Sequence, residues 1–374
     1  MKFTNLKSTV AALAVCTALP AMAQEMPGTM VWTSYDVGSA GYAEASAIAD
    51  AFGKEFGTRV RIQPSGSGIG RLQPLLQGRA DYAFLATEAF FLADGAYDFA
   101  LPEWGPTQLR AVAGRPAGIT LIAAGDAGIN TVEDARGKRI AFVAGNPSVN
   151  VKCEAILAFG GLTLDDVEVI MFPTYGSAMA SMTRNESDAT CTTPTTSQLY
   201  ELAESPRGIA YAPLEADNAA GWDALLEVLP IMGPSDEDVA AGIPEGQTTK
   251  MASYRYPVIT TRADKTDDEV YAFIKALDET YDMYKDGTAA MSRWSLDLAG
   301  KPAMDVPFHD GAIRYLREIG IWTDEDQAWN DRRLARMNAL SAAWTEFKAA
   351  NGDMEEAAYA DAWMAHRAEV VAGL

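Results

Sequence analysis

Short apolar runs alternate with helical stretches in the first part of the chain. Residues 31–33, 59–63 and 80–85 are predicted β-strands, and small and apolar residues recur at helical spacing over 42–56. Each of the first two strands is followed by a loop rich in Gly and Ser. This alternation is typical of a mainly parallel sheet covered by helices, so the pattern predicts an α/β fold.

The middle of the chain repeats the order of strand, polar loop and helix. Residues 138–143 and 168–172 are predicted strands, and 153–159 is a predicted helix. Two similar apolar strands, 119–123 and 258–261, flank this second unit. We therefore expect the chain to pass to a second lobe along one of them and to return along the other, which gives a two-lobed architecture.

The last part of the chain is predicted to be helical from residue 266 onwards, after an exposed loop over 233–246 that is rich in Gly, Pro and acidic residues. Thr323 is a candidate N-cap for a long helix that Asn351 and Gly352 end. An apolar stripe on this helix packs either on the protein's own lobe or on a partner. The stripe consists of Trp329, Leu334, Met337, Leu340, Trp344 and Phe347.

The composition excludes several classes of function. The 30 Lys and Arg residues against 51 Asp and Glu give a formal net charge of −21. Nucleic-acid binding needs a basic surface, and an anionic membrane face repels an acidic one, so no nucleic acid is expected as a partner. The chain has only two His and three Cys, which are too few for most His/Cys metal sites and offer little for histidine-based catalysis. We expect no metal, no cofactor and no enzymatic activity.

The N-terminus has the pattern of a secretory signal. Two lysines precede an apolar run over 10–20, and Ala21-Met22-Ala23 has the small-x-small spacing of a cleavage site. We expect 1–23 to be removed after Ala23 and the mature chain to be periplasmic. A lipoprotein site at Cys16 is the alternative. The apolar run is too short to span a membrane.

Cys153 and Cys191 are the cysteines that remain after cleavage. In an oxidising compartment a lone pair of cysteines often forms a disulfide. Separation in sequence, however, says nothing about the distance between the two Cβ atoms. A disulfide and two free thiols therefore both stay open.

Five loops combine Gly, Ser, Thr or Asn with a following helix, at Gly38, Ser65, Asn146, Thr174 and Thr192. The unpaired N–H groups of a helix N-terminus bind anions without basic side chains, and ligands of open α/β sheets gather at the carboxyl ends of the strands. Each loop alone could be a plain N-cap. Five such loops divided between two lobes predict one small polar ligand between the lobes.

The candidate ligand-binding residues have distinct expected roles. Backbone N–H groups of Gly66 to Gly68 and of Ser148 to Asn150 would hold one carboxylate, and Arg71 a second one. Hydroxyl groups would orient the ligand, and tyrosines would close over it. The full set is Tyr35, Gly38, Ser39, Gly41, Tyr42, Ser65, Gly66, Ser67, Gly68, Arg71, Thr87, Asn146, Ser148, Asn150, Tyr175, Thr192 and Thr193.

Several of these segments resemble the TAXI family of TRAP-transporter solute-binding proteins. The similar segments, in order along the chain, are 38–42, 65–68 with 75–81, 136–140 with 145–148, and 307–312 with Tyr315. The resemblance implies a periplasmic receptor of the type II, Venus-flytrap binding fold, with extra C-terminal helices here. It implies a receptor that closes on a small organic anion and delivers it to the membrane permease subunits of a TRAP transporter. The excess of acidic residues favours a monomer.

The strand pattern sets the expected domain boundaries, and the resemblance implies a ligand class. Lobe 1 is expected to comprise 27–122 plus 259–322, lobe 2 to comprise 123–258, and 323–374 to be a helical extension. Carboxylates such as glutamate or 2-oxoglutarate are the ligands that the family suggests. The family has an Asn where Arg71 stands, and this added cation favours a dicarboxylate. Glu88 falls near a family Asp.

Other classes of protein stay open beside this interpretation. The receptor of an ABC importer for a sulfonate-like anion shares the fold, and a ligand-sensing partner of a membrane kinase fits the same sequence. An exported enzyme is disfavoured because the sequence has no triad, paired His ligands or nucleotide fingerprint.

Overall fold

The structure is a computed structural model that describes residues 26–302 and 306–374. The predicted signal peptide therefore lies outside the described residues. Among the helices described, none combines the length and apolar composition of a membrane span.

The first lobe begins with two β–loop–helix units, as the alternating pattern predicts. The parallel strand β1 pairs with β2 on one side and with β3 on the other. The bounds are β1 Thr29–Tyr35, α1 Ala40–Phe56, β2 Arg59–Ser65, α2 Gly68–Leu76, β3 Tyr82–Leu85 and α3 Glu88–Asp94. Trp32, Phe52 and Phe84 are buried between the sheet and its helices and form the core of this lobe.

Two long antiparallel strands connect the lobes. β4 comprises Leu109–Ala124 and β10 comprises Thr249–Arg262. The two strands pair over most of their length, with a register shift between Arg255 and Val258, and β10 also pairs with β3. The predicted strands 119–123 and 258–261 are parts of these two longer strands. In the sheet β2, β1, β3, β10 and β4 are neighbours in that order, and the strands Ala189–Thr192, Arg139–Val143 and Glu168–Phe172 follow β4.

The second lobe repeats the order of strand, loop and helix. β5 pairs in parallel with β6 and β7, and β7 meets the far end of β4. The bounds are β5 Arg139–Val143, α4 Pro147–Phe159, β6 Glu168–Phe172, α5 Tyr175–Ser181, β7 Ala189–Thr192, α6 Ser197–Glu204, β8 Ile209–Tyr211, α7 Ala219–Val228 and β9 Gly233–Glu237. The prediction of a two-lobed α/β fold is confirmed.

The strand β9 corrects the prediction that 233–246 is wholly an exposed loop. Its sequence of Gly, Pro, Ser and two acidic residues is typical of loops, yet it pairs antiparallel with β10. Glu237 is buried, because its carboxylate accepts from the Gly118 N–H at 2.9 Å and pairs with Arg293. These tertiary partners compensate for a weak strand propensity.

The remaining helices return to the first lobe. They are α8 Asp267–Glu279, α9 Tyr281–Tyr284, α10 Leu296–Ala299, α11 Asp310–Glu318, α12 Asp324–Asn351 and α13 Glu356–Ala372. His309 caps α11: its Nδ1 accepts from the Gly311 N–H at 3.1 Å, so the ring proton lies on Nε2, which donates to the Lys265 carbonyl at 2.9 Å. Burial lowers the pKa of this imidazole.

The C-terminal hairpin, α12 with α13, packs on the first lobe. Trp344 lies against Gly105, and the Trp363 indole donates to the Gly95 carbonyl at 2.6 Å. The buried Asp94 pairs with an arginine of each helix, Arg336 and Arg367. Of the two alternatives for the apolar stripe, contact with the protein's own lobe is therefore the one that the structure shows.

Candidate functional site

The polar loops are N-caps, as their composition suggests. Ser39 Oγ accepts from the Tyr42 N–H at 3.1 Å at the start of α1, and Ser67 Oγ accepts from the Gly70 N–H at 3.1 Å at the start of α2. In the second lobe, Asn146 caps α4 and Thr174 caps α5 in the same manner. These side chains stabilise the helix starts and so hold the loops in place.

The loops of the two lobes meet and bond to one another. The Gly68 N–H donates to the Gly145 carbonyl at 3.1 Å, and the Tyr175 N–H donates to the Gly66 carbonyl at 3.1 Å. Loops of the two lobes therefore meet, and the N–H groups of Gly68 and Tyr175 are each satisfied by a carbonyl of the opposite lobe. Gly66 tolerates no side chain, because a Cβ would lie 2.7 Å from the Thr174 Cβ.

A small cavity lies between the lobes, behind these loops. Its volume is about 10 Å³, which is room for roughly one water molecule. The lining residues are Tyr35, Ala86, Ile119, Val149, Lys152, Tyr175, Cys191, Thr192, Thr193, Tyr254 and Tyr256. Both lobes and both connecting strands contribute, so relative movement of the lobes changes the size of the cavity.

Tyrosines form much of the cavity wall. The Tyr35 ring lies 4.8 Å from the Tyr175 ring and 5.9 Å from the Tyr256 ring, centroid to centroid. The Tyr35 hydroxyl bonds the Asn146 side-chain amide at 3.1 to 3.2 Å, which joins the two lobes. Burial raises the pKa of Tyr35, Tyr175 and Tyr256, so their hydroxyls stay protonated and can donate hydrogen bonds.

Two of the hydroxyls differ in how they are satisfied. The Tyr175 hydroxyl lies 2.6 Å from Thr192 Oγ1 and 2.7 Å from Thr196 Oγ1. The Tyr256 hydroxyl, also buried, has no hydrogen-bond partner among the described residues. A buried donor of this kind is costly unless something accepts from it, so Tyr256 marks where a polar ligand atom would be stabilised.

Lys152 is the cationic residue of the cavity wall. It is 3% exposed, and its Nζ lies 4.1 Å from the centre of the Tyr254 ring. The described lining residues include no carboxylate. The buried Arg115 lies in an ion pair with Glu44, with Nε 2.7 Å from the carboxylate. The cavity wall therefore includes one lysine side chain among its tyrosines and threonines.

The sequence analysis missed Lys152, although a signal was present. Helix α4 is buried on nearly all sides, so its hydrophobic pattern gives no direction for a lysine. The signal lies in the spacing: Lys152 stands four residues after Ser148 and three after Val149, which places all three on one face of the helix. The loop before α4 is a predicted binding loop, so Lys152, the first cationic residue of α4, could have been named as a candidate ligand-binding residue.

Arg71 lies beside the cavity in a buried ion pair with Glu88. Its guanidinium also donates to the Phe84 carbonyl at 3.1 Å, and Cζ lies 3.2 Å from the centre of the Tyr35 ring. Burial alone would lower the pKa of Arg71, but the Glu88 carboxylate raises it above the usual value. The argument that an added cation at 71 favours a dicarboxylate thus loses its basis, because Glu88 neutralises this charge.

Four of the predicted ligand-binding residues line the cavity, and the others lie elsewhere. The four are Tyr35, Tyr175, Thr192 and Thr193. Asn150 lies on α4, and its side chain bonds the N–H and the carbonyl of Val143, the last residue of β5, at 3.0 and 2.9 Å. The remaining residues are Gly38, Ser39, Gly41, Tyr42, Ser65, Gly66, Ser67, Gly68, Arg71, Thr87, Asn146 and Ser148.

Some of these other residues still border the cleft. Gly41 lies in the first turn of α1, where a Cβ would come within 2.8 Å of the Tyr256 hydroxyl. The hydroxyls of Thr87 and Ser148 are buried and have no hydrogen-bond partner among the described residues. The assignment of the whole set to ligand binding stays a prediction.

Cys153 and Cys191 form a disulfide between α4 and β7, with both residues fully buried. Cys153 follows Lys152 and Cys191 precedes Thr192, and both Lys152 and Thr192 line the cavity. The disulfide therefore links two segments of the cavity wall. Over the described part of the chain, no group of three or more His, Cys, Asp or Glu side chains is arranged to hold a metal ion.

The fold is a two-lobed α/β fold with a small cavity between the lobes. The chain belongs to the NMT1-like family, whose sequence profile matches residues 33–320. This match ends before α12, so the C-terminal hairpin lies outside it. No curated protein sequence matches the chain significantly.

Solved structures with similar folds include three binding proteins. They are an ABC transporter periplasmic binding protein from Brucella ovis with glutathione bound (14% identity, 70% of each chain, TM-score 0.43), the periplasmic aliphatic sulphonate binding protein of Escherichia coli (15% identity, 82% of this chain and 79% of that one, TM-score 0.42), and an amino acid ABC transporter substrate-binding protein from Streptococcus pneumoniae bound to L-arginine (15% identity, 71% and 96%, TM-score 0.40). With TM-scores below 0.5, these likenesses carry no argument about ligand or transporter.

Proposed function

We propose that the chain is the periplasmic solute-binding subunit of a TRAP-type secondary transporter of the TAXI kind. In this role it captures a small organic anion between its lobes and delivers it to the membrane permease. The support for the transporter type is the ordered set of segments between 38 and 315 that resemble the TAXI family.

The observation that carries the capture of an anion is the chemistry of the interlobe cavity. The buried Tyr256 hydroxyl has no hydrogen-bond partner among the described residues, and Thr192, Thr193 and Lys152 line the same cavity. An ammonium group with convergent hydroxyls fits a carboxylate, whose oxygens only accept hydrogen bonds when ionised. The overall charge of −21 would repel an anion, so local donors must outweigh the field of the whole protein.

Binding and transport are not accompanied by chemistry on the ligand in this proposal. The ligand stabilises the closed arrangement only as far as it binds that arrangement more tightly than the open one. The exported chain acts as a monomer, and its partners are the ligand and the permease subunits.

A thermal-shift screen of the mature protein tests the capture of an anion. Small carboxylates, sulfonates and neutral amino acids are compared, because a ligand that binds the folded state raises the unfolding temperature. We expect stabilisation by carboxylates. Stabilisation by sulfonates alone would favour the ABC-type receptor, and no stabilisation by any anion would contradict the proposal.

Uptake by the reconstituted permease tests the transporter type. A permease that co-purifies with the mature chain is placed in liposomes, and uptake of the stabilising carboxylate is measured with either an ion gradient or ATP. We expect uptake to require the binding protein and the ion gradient. Uptake that requires ATP would refute the TRAP assignment and leave the capture of an anion intact.

A further inference from the structure

A hydrogen bond outside the cavity also joins the two lobes. Tyr97 follows α3 in the first lobe, and its hydroxyl donates to the carbonyl of Val228 at 2.7 Å. Val228 is the last residue of α7 in the second lobe, where helical carbonyls lack an N–H partner from a following turn. Separation of the lobes at this point breaks the bond, so the bond stabilises the closed arrangement.

Tyr97 reaches Val228 from a left-handed backbone conformation. Its φ is +54°, in a region that glycine enters freely but a tyrosine enters only at a cost. Such a conformation persists only where the surroundings hold it. The contacts on either side of Tyr97 therefore decide whether the hydroxyl stays in reach of α7.

The C-terminal hairpin holds the chain just before this tyrosine. The Trp363 indole donates to the Gly95 carbonyl at 2.6 Å, and Arg367 Nε donates to the Asp94 carbonyl at 3.2 Å. The Asp94 carboxylate also accepts from Arg336 Nε at 3.0 Å. Both helices of the hairpin thus fix the backbone that leads into the tyrosine.

The hairpin also holds the chain just after this tyrosine. The Ala100 N–H donates to the Tyr97 carbonyl at 2.9 Å. Ala100 is fully buried in an apolar cluster whose other members belong to the hairpin, namely Leu340, Trp344, Tyr359 and Trp363. These contacts come from a part of the chain that lies outside the family match.

We propose that the C-terminal hairpin holds Tyr97 against α7 and thereby stabilises the closed arrangement of the lobes. The hairpin acts as an inhibitory element, because the cavity of about 10 Å³ must enlarge before an organic ligand can enter. Loosening its hold on Tyr97 increases the population of the open arrangement. This role does not depend on the identity of the ligand.

Hydrogen exchange of the mature protein without added ligand measures the opening of the lobes. The reporters are the N–H groups of Gly68 and Tyr175, each of which donates to a carbonyl of the opposite lobe. The reference is the N–H of Asp188, which donates to the Arg139 carbonyl at 2.8 Å within the second lobe. Exchange relative to this reference reports opening of the lobes rather than unfolding of the whole chain.

Three single variants and one double variant are compared with the wild type. Tyr97→Phe removes the hydroxyl and keeps the ring, and Trp363→Phe removes the indole N–H that holds Gly95. Tyr281→Phe is the matched control, because its hydroxyl makes a bond of the same length, 2.7 Å, to the Ser292 carbonyl within the first lobe. The double variant combines Tyr97→Phe with Trp363→Phe.

We expect Tyr97→Phe to accelerate exchange of both reporters by about three- to tenfold, the effect of one net hydrogen bond. Trp363→Phe should accelerate it too, and the double variant should exchange no faster than the faster single variant, because both changes remove the same contact. Tyr281→Phe should leave the reporters unchanged. Arg367→Gln takes the place of Trp363→Phe if that variant does not fold.

Two outcomes would overturn the proposal. If the reporters exchange in Tyr97→Phe as they do in Tyr281→Phe, the bond to Val228 does not hold the lobes together. If the change in the hairpin has no effect, or if its effect multiplies with that of Tyr97→Phe in the double variant, the hairpin does not act through Tyr97. Failure of the anion screen would leave both readouts intact, because no ligand is added.

Discussion

Replacing Lys152 with methionine tests the charge that defines the site. Methionine keeps an unbranched stem of similar length, so it removes the ammonium group with little change in packing. Two unit charges 4 Å apart attract by about 4 kcal/mol at an effective dielectric constant of about 20, and desolvation of the ligand offsets part of this. We expect a net loss near 3 kcal/mol, which is roughly a hundredfold weaker binding.

The assay is calorimetric titration with the carboxylate that stabilises the wild type most. Lys54→Met is the matched control, because it removes the same charge from an exposed pair with Asp50 on α1. Such a surface pair contributes less than about 1 kcal/mol, and its field in the cleft is screened. Affinity of Lys152→Met within about threefold of Lys54→Met would refute the assignment of Lys152.

Two further predictions concern stability. Gly105→Ala should destabilise the fold by about 2 kcal/mol or more beyond Gly161→Ala in urea denaturation, because both glycines have positive φ but only at Gly105 does a Cβ clash, 2.2 Å from Trp344. Equal effects would show that the hairpin does not press on Gly105. His309, whose folded pKa is lowered by burial, should contribute stability that is full above about pH 6.5 and lost as the pH falls through the folded pKa. Unfolding followed from pH 7.5 to 5 should show this loss in the wild type, and an equal loss in His309→Asn would contradict it.

The sequence predicts those parts of the fold that depend on neighbours along the chain. Ser39, Ser67 and Asn146 are recognisable as caps because each precedes an apolar helix, and all three accept from a backbone N–H of the next turn. The alternating pattern also predicts both lobes and the two connecting strands. These signals are local, since hydrophobic periodicity and capping each involve only a few successive residues.

The charges of the site cannot be predicted in the same way. Arg71 and Glu88 are separated by a strand and two loops, and nothing in either neighbourhood indicates that they form a fully buried pair. An inventory of cations from the sequence therefore counts Arg71 as available to a ligand. In the structure, carboxylates of the protein itself contact groups that the sequence makes available to a ligand. Glu88 pairs with Arg71, and Asp36 accepts from the Gly176 N–H.

The size of the cavity then bears on affinity. Its volume of about 10 Å³ is too small for an organic anion, so the lobes or the tyrosines must move before a ligand can enter. Movement of the lobes breaks the bonds of Gly68 with Gly145 and of Gly66 with Tyr175, which contribute about 0.5 to 1.5 kcal/mol each. The free energy of ligand binding must exceed this cost of separating the lobes, so the cost lowers the measured affinity. Hydrogen bonds between the lobes therefore set the affinity together with the contacts that the ligand makes.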